Sequence, residues 1–423
     1  MLPTFIVVAV FGLYVASVVE CRKRLPQRYS DCSHSNSKDK STDGPTTVHE
    51  WVSLAYDWPC DWVEMYYKSK GWYDPAASVL SGIDVYKEDI FVTVQRISSA
   101  VPSGLNKVVT RYGKSLLRPY PDLLFNEVGN CSKLQYPLSV TIDPNTGFMY
   151  VIDIGKIGLG PVDDGCPAKL VVLNINQGGS LVRSHNFPES VVPKRTNLVN
   201  DIVLDYASDN KVRYAYITES SHQQIVVFDF MSNLSWAFHD DTMATDEDRV
   251  VTINNAEYPV DVAVDGIAID SRSEYVYYCS VGSKNLYQVP TLTLRNSSAN
   301  FTAQRRLVGK KISNSDGIVF GQRNLYYGAL GFNAVYRWDV EKDVRTSPLS
   351  NISLLTETRV AQDDVRGRWV ESLKLDTRGY LWFTTTRLHE FFAGKLDTSG
   401  RNGANFRISR VYVGEKSSLW RGN

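Results

Sequence analysis

The feature that most constrains the fold of this chain is a unit that recurs six times between residues 81 and 388. Each copy is an apolar strand, a turn of Asp, Gly, Asn or Ser, and a second strand rich in aromatic residues. Ile83 in the first copy and Leu373 in the last are 290 residues apart (373 − 83), so the five intervals average 58 residues. The copies are SGIDVYKEDIFVTVQRI (81–97), LSVTIDPNTGFMYVIDIG (138–155), NDIVLDYASDNKVRYAYITES (200–220), DGIAIDSRSEYVYYCSVGS (265–283), DGIVFGQRNLYYGALG (316–331) and ESLKLDTRGYLWFTTTRL (371–388).

Six tandem antiparallel units of this length predict an all-β fold, a six-bladed β-propeller with about four strands in each blade. A propeller has to close into a ring, because open first and last blades would expose sheet edges. We expect FRISRVYVG (406–414) to complete the ring together with a segment near HEWVSLAYDW (49–58). Third strands are predicted at KLVVLNI, QIVVFDF, NLYQVPT, AVYRWDV and FAGKLD (392–397).

The N-terminus has the features of a targeting segment. Residues 5–19 are uninterruptedly apolar but shorter than the ~20 residues of a spanning helix, which predicts a signal peptide over 1–20. No Lys or Arg precedes this stretch and Arg22, Lys23 and Arg24 follow it, a charge order that favours a signal anchor. Five N-glycosylation sequons favour the secretory lumen instead. The predicted organisation is a polar leader (21–48), the propeller (49–414) and a C-terminal tail (415–423) of a secreted, extracellular protein.

Composition excludes several partners. The chain has 46 basic and 46 acidic side chains in 423 residues, so we expect no binding to nucleic acid and no membrane association after signal cleavage. The six histidines show no zinc-binding spacing. The composition does not decide whether the protein forms an oligomer.

The cysteines and sequons fit a secreted domain with one or two disulfides. Cys131 and Cys166 bracket one repeat and are the expected pair, whereas spacing leaves the connectivity of four others open. Those four are Cys21, Cys32, Cys60 and Cys279. The predicted glycosylation sites are Asn130, Asn233, Asn296, Asn300 and Asn351, of which Asn296 and Asn300 lie in the polar run RNSSANFT and should be the most fully occupied.

Aligning the six apolar strands places a mostly polar column at their start and a column of small residues one position later. Small residues allow inner strands to approach closely around a propeller axis. The second column therefore predicts that the first projects near the mouth of the central channel. The first column is Ser81, Leu138, Asn200, Asp265, Asp316 and Glu371, and the second is Gly82, Ser139, Asp201, Gly266, Gly317 and Ser372.

Four of these residues, Asn200, Asp265, Asp316 and Glu371, form the predicted polar ring. Carboxylates that face one another resist ionisation unless a cation is present. The ring therefore predicts a cation, either Ca²⁺, which prefers carboxylate and amide oxygens, or the ammonium group of a biogenic amine. The alternative is that Asp and Asn only form turn hydrogen bonds before each strand.

Loops between the second and third strands should open on the same face as the ring. Phe332, Asn333, His389 and Phe392 in these loops could stack on or hydrogen-bond a small aromatic ligand. For His389, an ordinary surface histidine is the alternative.

The order of motifs resembles the yellow and major royal jelly protein family over residues 50–414. The motifs are PYPD (119–122), SVTID with VIDIG, CPAKLVVLNI, NDIVLD, IVVFDF with SW, DGIAID, SDGIVF, NAVYRWD and LWFTTTRL with NFRI. The resemblance implies a secreted six-bladed propeller. Members are associated with cuticle pigmentation and melanin formation, with nutrition, or with binding biogenic amines in the channel, and some are described as dopachrome-converting enzymes.

The chain departs from the family at one disulfide. Asp143, Pro144 and Asn145 stand where relatives often have a cysteine. One family disulfide is therefore missing or re-paired, with Cys60 or Cys279 as the partners to consider.

Three functions are compatible with these features. No GxSxG elbow or Cys/His signature is present, and a ring of like residues needs only charge complementarity, which favours a non-enzymatic binder of an amine or pigment precursor. As an enzyme, Glu371 or Asp316 would move a proton in a dopachrome-type tautomerisation, or the ring would hold a metal for lactonase-like hydrolysis. An oligomeric structural or storage protein is the third alternative.

Overall fold

The computed structural model describes residues 44–206 and 210–422. Within these residues the chain forms six four-stranded antiparallel sheets and one separate two-stranded hairpin. Each innermost strand contacts the innermost strands of the two neighbouring blades, which closes the ring. The predicted six-bladed β-propeller is therefore confirmed. The predicted signal peptide, Cys21 and Cys32 lie outside the described residues.

The chain enters the propeller at β1 (Thr46–Trp51), and each later blade follows in sequence order. Blade 1 contains β2 (Val79–Tyr86), β3 (Asp89–Gln95), β4 (Leu105–Arg111) and β5 (Lys114–Pro119). Blade 2 contains β6 (Pro137–Ile142), β7 (Phe148–Asp153), β8 (Lys169–Asn174) and β9 (Ser180–Asn186). Blade 3 contains β10 (Val199–Tyr206), β11 (Val212–Glu219), β12 (Gln224–Asp229) and β13 (Leu234–His239).

The hairpin β14 (Val250–Ile253) and β15 (Ala256–Pro259) follows blade 3. Blade 4 contains β16 (Val264–Ile269), β17 (Tyr275–Ser280), β18 (Asn285–Pro290) and β19 (Arg306–Lys310). Blade 5 contains β20 (Ile318–Phe320), β21 (Leu325–Ala329), β22 (Ala334–Trp338) and β23 (Glu357–Gln362). Blade 6 contains β24 (Val370–Leu375), β25 (Tyr380–Thr385) and β26 (Phe406–Tyr412), and β1 is its outer strand.

The helices are short connections between these strands. The α-helices are α1 (Asp61–Ser69), α2 (Thr291–Leu294), α3 (Phe301–Gln304), α4 (Val340–Asp343) and α5 (Leu388–Phe392). The 3₁₀ turns are Pro75–Ala77, Leu124–Asn126, Ile175–Gln177, Asp241–Met243, Leu330–Phe332 and Leu349–Asn351. None of the helices in the described ranges is long and apolar enough to cross a membrane.

Blade 6 joins the two ends of the propeller. Strand β1 pairs antiparallel with β26, with Glu50 opposite Arg407 and Trp51 opposite Phe406, so the expected pairing of the N-terminal segment with 406–414 is confirmed. Strand β1 begins at Thr46, a few residues before the predicted start of the propeller at His49.

The sequence-based assignment of FAGKLD (392–397) as a third strand is wrong. This segment follows α5, and the third strand of blade 6 is β26. Gly394 adopts a φ of 66°, a left-handed conformation that ends α5 and that an extended strand does not use.

The core is divided into layers between neighbouring blades, because each sheet packs on the next. Phe91 and Leu105 of blade 1, for example, pack against Val140 and Met149 of blade 2. The turn between β6 and β7 requires glycine: Gly147 has a φ of 73°, and a Cβ there would lie 2.5 Å from the Asn176 side chain.

The last described residues, 415–422, lie across the ends of the inner strands, and we call them the C-terminal segment. The buried Glu415 carboxylate accepts hydrogen bonds from the backbone N–H groups of Arg323 and Asn324, from the Asn324 side chain and from the Tyr326 hydroxyl. Its position is therefore fixed by blade 5.

The same segment is also held by blade 2. Leu419 is buried in the core between blades 2 and 3. The Asn145 amide donates to the Leu419 carbonyl at 2.9 Å and accepts from the Arg421 backbone N–H at 3.0 Å. Asn145 thus holds the C-terminal segment at a position where the sequence departs from the family pattern.

Candidate functional site

The two aligned columns meet at the end of the channel where the inner strands begin. They line a cavity of about 20 Å³, room for about one water molecule. The lining residues are Ser81, Gly82, Leu138, Ser139, Asn200, Asp201, Asp265, Asp316, Gly317, Glu371 and Ser372. The structure therefore brings the four residues of the polar ring together.

The small second column allows this close approach. A Cβ on Gly266 would lie 2.6 Å from the Asp316 carbonyl, and one on Gly317 would lie 2.7 Å from the Glu371 carbonyl. Any larger side chain would push neighbouring inner strands apart, so these two glycines set the diameter of the ring.

Hydrogen bonds link the polar ring into one network. The Asn200 amide donates to Asp265. The Trp369 indole N–H lies 2.8 Å from Asp316 Oδ2 and 3.0 Å from Glu371 Oε2, so it bridges the two carboxyls. This indole bridge was not predicted from the sequence.

The second oxygen of Glu371 is also occupied. The Ser81 hydroxyl and the Gln95 amide donate to Glu371 Oε1 at 3.2 and 2.9 Å. Gln95 belongs to the second strand of blade 1, so the ring draws on more than the inner strands.

Burial controls the protonation of the ring. It raises the pKa of the Glu371 carboxyl to about 7. Burial, followed by the nearby carboxyls, raises the pKa values of Asp316 and Asp265 well above the ordinary range. Three adjacent carboxyl groups without a positive partner therefore resist ionisation.

Within the described ranges, no lysine or arginine side chain forms an ion pair with these three carboxyls. No group of three His, Cys, Asp or Glu side chains in those ranges is arranged to hold a metal.

Aromatic side chains lie next to the ring, and we call Trp369, His389 and Tyr258 the aromatic roof. His389 stacks on Trp369 with ring centroids 5.7 Å apart, and Tyr258 of the β14–β15 hairpin meets His389 edge-on at 4.8 Å. Burial, with Arg368 and Arg387 nearby, lowers the pKa of His389 to about 4, so its imidazole is neutral at pH 7. Its buried Nδ1 has no hydrogen-bond partner.

Trp369 also has an unusual backbone. Its φ of 45° is rare for a bulky residue and costs free energy. Such conformations cluster at functional sites. The sequence offered no signal for this residue, because it lies outside the aligned columns and has no counterpart in the other repeats.

The remaining predicted loop residues do not line the ring cavity. Phe332 is 41% exposed and packs near Tyr336. The Asn333 amide donates to Asn254 of the hairpin at 2.6 Å. Phe392 is 56% exposed and contacts Phe391.

A second polar layer lies further along the channel and consists of Asp84, Thr141, Asp201 and Lys374, which we call the lower layer. Lys374 Nζ donates to Thr141 Oγ1 at 3.0 Å and lies 3.8 Å from Asp201 Oδ1. Burial raises the pKa of Asp84 to about 6, while Lys374 and two backbone N–H groups act in the opposite direction. This layer contains its own cation.

The C-terminal segment closes this end of the channel. A cavity of about 40 Å³ is lined by Asp84, Thr141 and Lys374 and, from outside, by residues 417–419. The sequence predicted a tail at 415–423 but gave no indication of this contact.

The predicted disulfide between Cys131 and Cys166 is confirmed, with Cα atoms 5.3 Å apart. Cys60 is also disulfide-bonded. Cys279 is free and buried, so it takes no part in a re-paired disulfide. All five sequon asparagines are exposed, as glycosylation would require.

Comparison with known proteins supports the family resemblance that the sequence motifs indicate. The sequence model of the family described as "Major royal jelly protein" matches residues 137–417, more than half of the chain. Major royal jelly protein 1 of Apis mellifera is 26% identical over 347 residues, which cover 78% of this chain and 76% of that protein. Protein yellow of Drosophila madeirensis is 22% identical over 383 residues, covering 85% and 64% respectively.

Among solved structures, a luciferin-regenerating enzyme aligns with a TM-score of 0.45 and 11% identity over 80% of this chain and 93% of that one. That similarity is too low to support a functional argument. The fold and the polar channel define a six-bladed propeller with a buried acidic ring. By the extent of the family match, the chain belongs to the major royal jelly protein family.

Proposed function

We propose that the protein is a secreted binder of a small cation, and that the polar ring receives the ammonium group of a small aromatic amine or pigment precursor. The observation that carries this proposal is the adjacency of three buried carboxyl groups that have no lysine or arginine partner in the described ranges. A bound cation would stabilise the ionised form of these carboxyls.

The size of the cavity limits how such a ligand would bind. About 20 Å³ admits an ammonium group but not an aromatic ring. The ligand ring would therefore remain outside the cavity, on the side of Trp369 and His389, whose rings are stacked on each other. Ca²⁺ fits less well, because no three ligating side chains in the described ranges are suitably arranged.

The decisive measurement is calorimetric titration of the secreted, glycosylated protein with dopamine, serotonin and Ca²⁺ between pH 6 and 8. Because the pKa of Glu371 is about 7, amine affinity should rise with pH over this range. Binding near neutral pH should release protons, which appears as a dependence of the binding enthalpy on the buffer.

Amide substitutions test the ring residues directly. Asp316→Asn and Glu371→Gln keep the shape and remove a charge, so affinity at pH 8 should fall by about 1.5 to 3 kcal/mol. Asp163→Asn, at an 84% exposed side chain, is the matched control and should bind normally. If both ring variants bind every cation as tightly as the parent protein, these residues serve only as turn formers.

Proton transfer is a second candidate function, favoured by the pKa of about 7 for Glu371 beside Asp316. A group with this pKa can both give and take a proton at neutral pH. A dopachrome-type tautomerisation would then depend on Glu371. Decay of dopachrome absorbance above a heat-killed control, and its loss in Glu371→Gln, would establish this activity; no decay would exclude it.

A further inference from the structure

A cleft of about 420 Å³ lies between α1, the loop after β3 and the turn Leu124–Asn126, on the face of the propeller where the inner strands begin. We call it the aromatic cleft. Its volume is within the range of small-molecule sites, about 300–1,000 Å³, whereas the ring cavity admits about one water molecule. Its principal walls are Tyr66, Tyr67, Trp72, Val101, Leu124 and Val128.

The walls of the aromatic cleft are mostly apolar. Eight of the eleven lining residues are aromatic or aliphatic, and Glu127 is the only one of them that carries a charge at neutral pH. Trp72 and Val128 are 45% and 44% exposed, so apolar surface remains in contact with water. A flat apolar ligand would remove this surface from water, and an anionic ligand would be repelled by Glu127.

The rings in the cleft are already fixed by one another. Trp72 meets Tyr66 and Tyr67 edge-to-face, with centroids 5.8 and 5.6 Å away and interplanar angles of 83° and 76°. Interlocked rings lose little rotamer freedom when a ligand binds, which favours affinity.

A buried arginine fixes the opposite wall. The Arg96 guanidinium donates to the carbonyls of Val101, Pro102 and Asn126, at 3.1, 2.8 and 2.6 Å, and all three residues line the cleft. Burial lowers the pKa of Arg96 to about 10, so it remains charged at neutral pH. Arg96 is thus a positioning residue that holds two wall segments together.

The one amide in the cleft is fully engaged with the backbone. The Asn126 side chain accepts from the N–H groups of Gly104 and Leu105 and donates to the carbonyls of Tyr120 and Asp122. The Asn126 side chain therefore offers no free hydrogen-bonding group to a ligand.

We propose that the aromatic cleft is a second binding site, separate from the polar ring, for neutral aromatic ring compounds, and that Glu127 disfavours anionic ones. Indole and indole-3-acetate are suitable probes, because they share one ring system and neither has an ammonium group that could enter the polar ring.

The test is titration of the full, glycosylated chain with both probes, followed by calorimetry. Indole should bind about fivefold more tightly than indole-3-acetate, the scale of one charge repulsion near a surface. Glu127→Gln should bring the two affinities together. Equal affinities in the parent protein would overturn the role of Glu127.

Two variants test the location of the site. Ser99→Trp fills the cleft from an exposed position, and Trp72→Ala removes a wall; each should weaken indole binding about tenfold or more. Tyr112→Ala, at a 92% exposed aromatic residue outside the cleft, and Glu371→Gln should leave indole binding unchanged. Unaltered indole affinity in a folded Ser99→Trp variant, or loss of binding in Glu371→Gln, would overturn the proposal.

Discussion

The two ends of the channel contain similar acidic side chains but differ in how their charge is balanced. In the lower layer, Lys374 lies near Asp201 and Asp84 and supplies a cation from within the chain. In the polar ring, Asp316 and Glu371 are bridged by the neutral indole N–H of Trp369. The lower layer therefore contains a cation of its own, whereas the ring is left to take protons or an external cation.

The two ends also differ in what covers them. The lower end is closed by the C-terminal segment, which Glu415 and Leu419 anchor through buried contacts. The upper end, where the polar ring lies, is flanked by the aromatic roof, one residue of which belongs to a separate hairpin. Under the proposed function, a ligand would enter from the roof side. The predictions below test this division, from the largest expected effect to the smallest.

Deletion of residues 415–423 should cost about 4 kcal/mol of unfolding free energy, because burial of Leu419 and the hydrogen bonds of Glu415 each contribute about 2 kcal/mol. Urea unfolding measures this, and deletion of 422–423 alone is the control. Amine binding at the ring should survive the deletion. A normal unfolding midpoint would mean that the lower end does not depend on this segment.

Lys374→Met should destabilise the protein by about 3 kcal/mol at pH 7.5, because it leaves buried carboxylates without their cation. The loss should be smaller at pH 5, since Asp84 has a pKa of about 6 and becomes neutral below it. The exposed Lys395→Met is the matched control. A loss that is the same at both pH values would show that Lys374 acts through packing alone.

Glu371→Gln should change the pH dependence of stability. The folded-state pKa of Glu371 is raised from 4.5 to about 7, so this group's contribution is fully present below pH 4.5 and is lost as pH rises through 7. Relative to the parent protein, the variant should gain about 3 kcal/mol between pH 4 and pH 8. Urea unfolding at these pH values measures the difference in stability between variant and parent, and the exposed Glu189→Gln is the control. A difference that does not change with pH would contradict the prediction.

Trp369→Phe should cost about 1 kcal/mol, because the aromatic contact with His389 is kept while the bridging N–H is lost. It should also raise the pH at which the ring begins to bind amines. Trp236→Phe removes an indole hydrogen bond to the Leu294 carbonyl and is the matched control, with no shift in that pH. An unshifted pH profile in Trp369→Phe would mean that the bridge does not tune the carboxyls.

The blades and the ring could be predicted because each repeat places equivalent residues at equivalent positions. Gly266 and Gly317 already signalled close approach of the inner strands, and the structure places their Cα atoms against neighbouring backbones. The third strand of blade 6 could not be located in the same way, because α5 interrupts the repeat there.

The features that set the chemistry come from outside the repeats. Trp369 precedes one repeat only, Tyr258 belongs to an inserted hairpin, and Glu415 lies beyond the last strand. Their contacts join residues far apart in sequence, such as Glu415 with Asn324, so no local pattern contains them.

The sequence by itself determined the propeller, its closure and the column of acidic side chains, because these follow from periodicity, which is a local property of the chain. Only the tertiary structure decided which carboxyls have a cationic partner. Lys374 lies two residues after the small column and looks equivalent to other inner-strand positions, yet it reaches Thr141 across the channel. Charge balance depends on distances across the axis, and those distances exist only after the ring has closed.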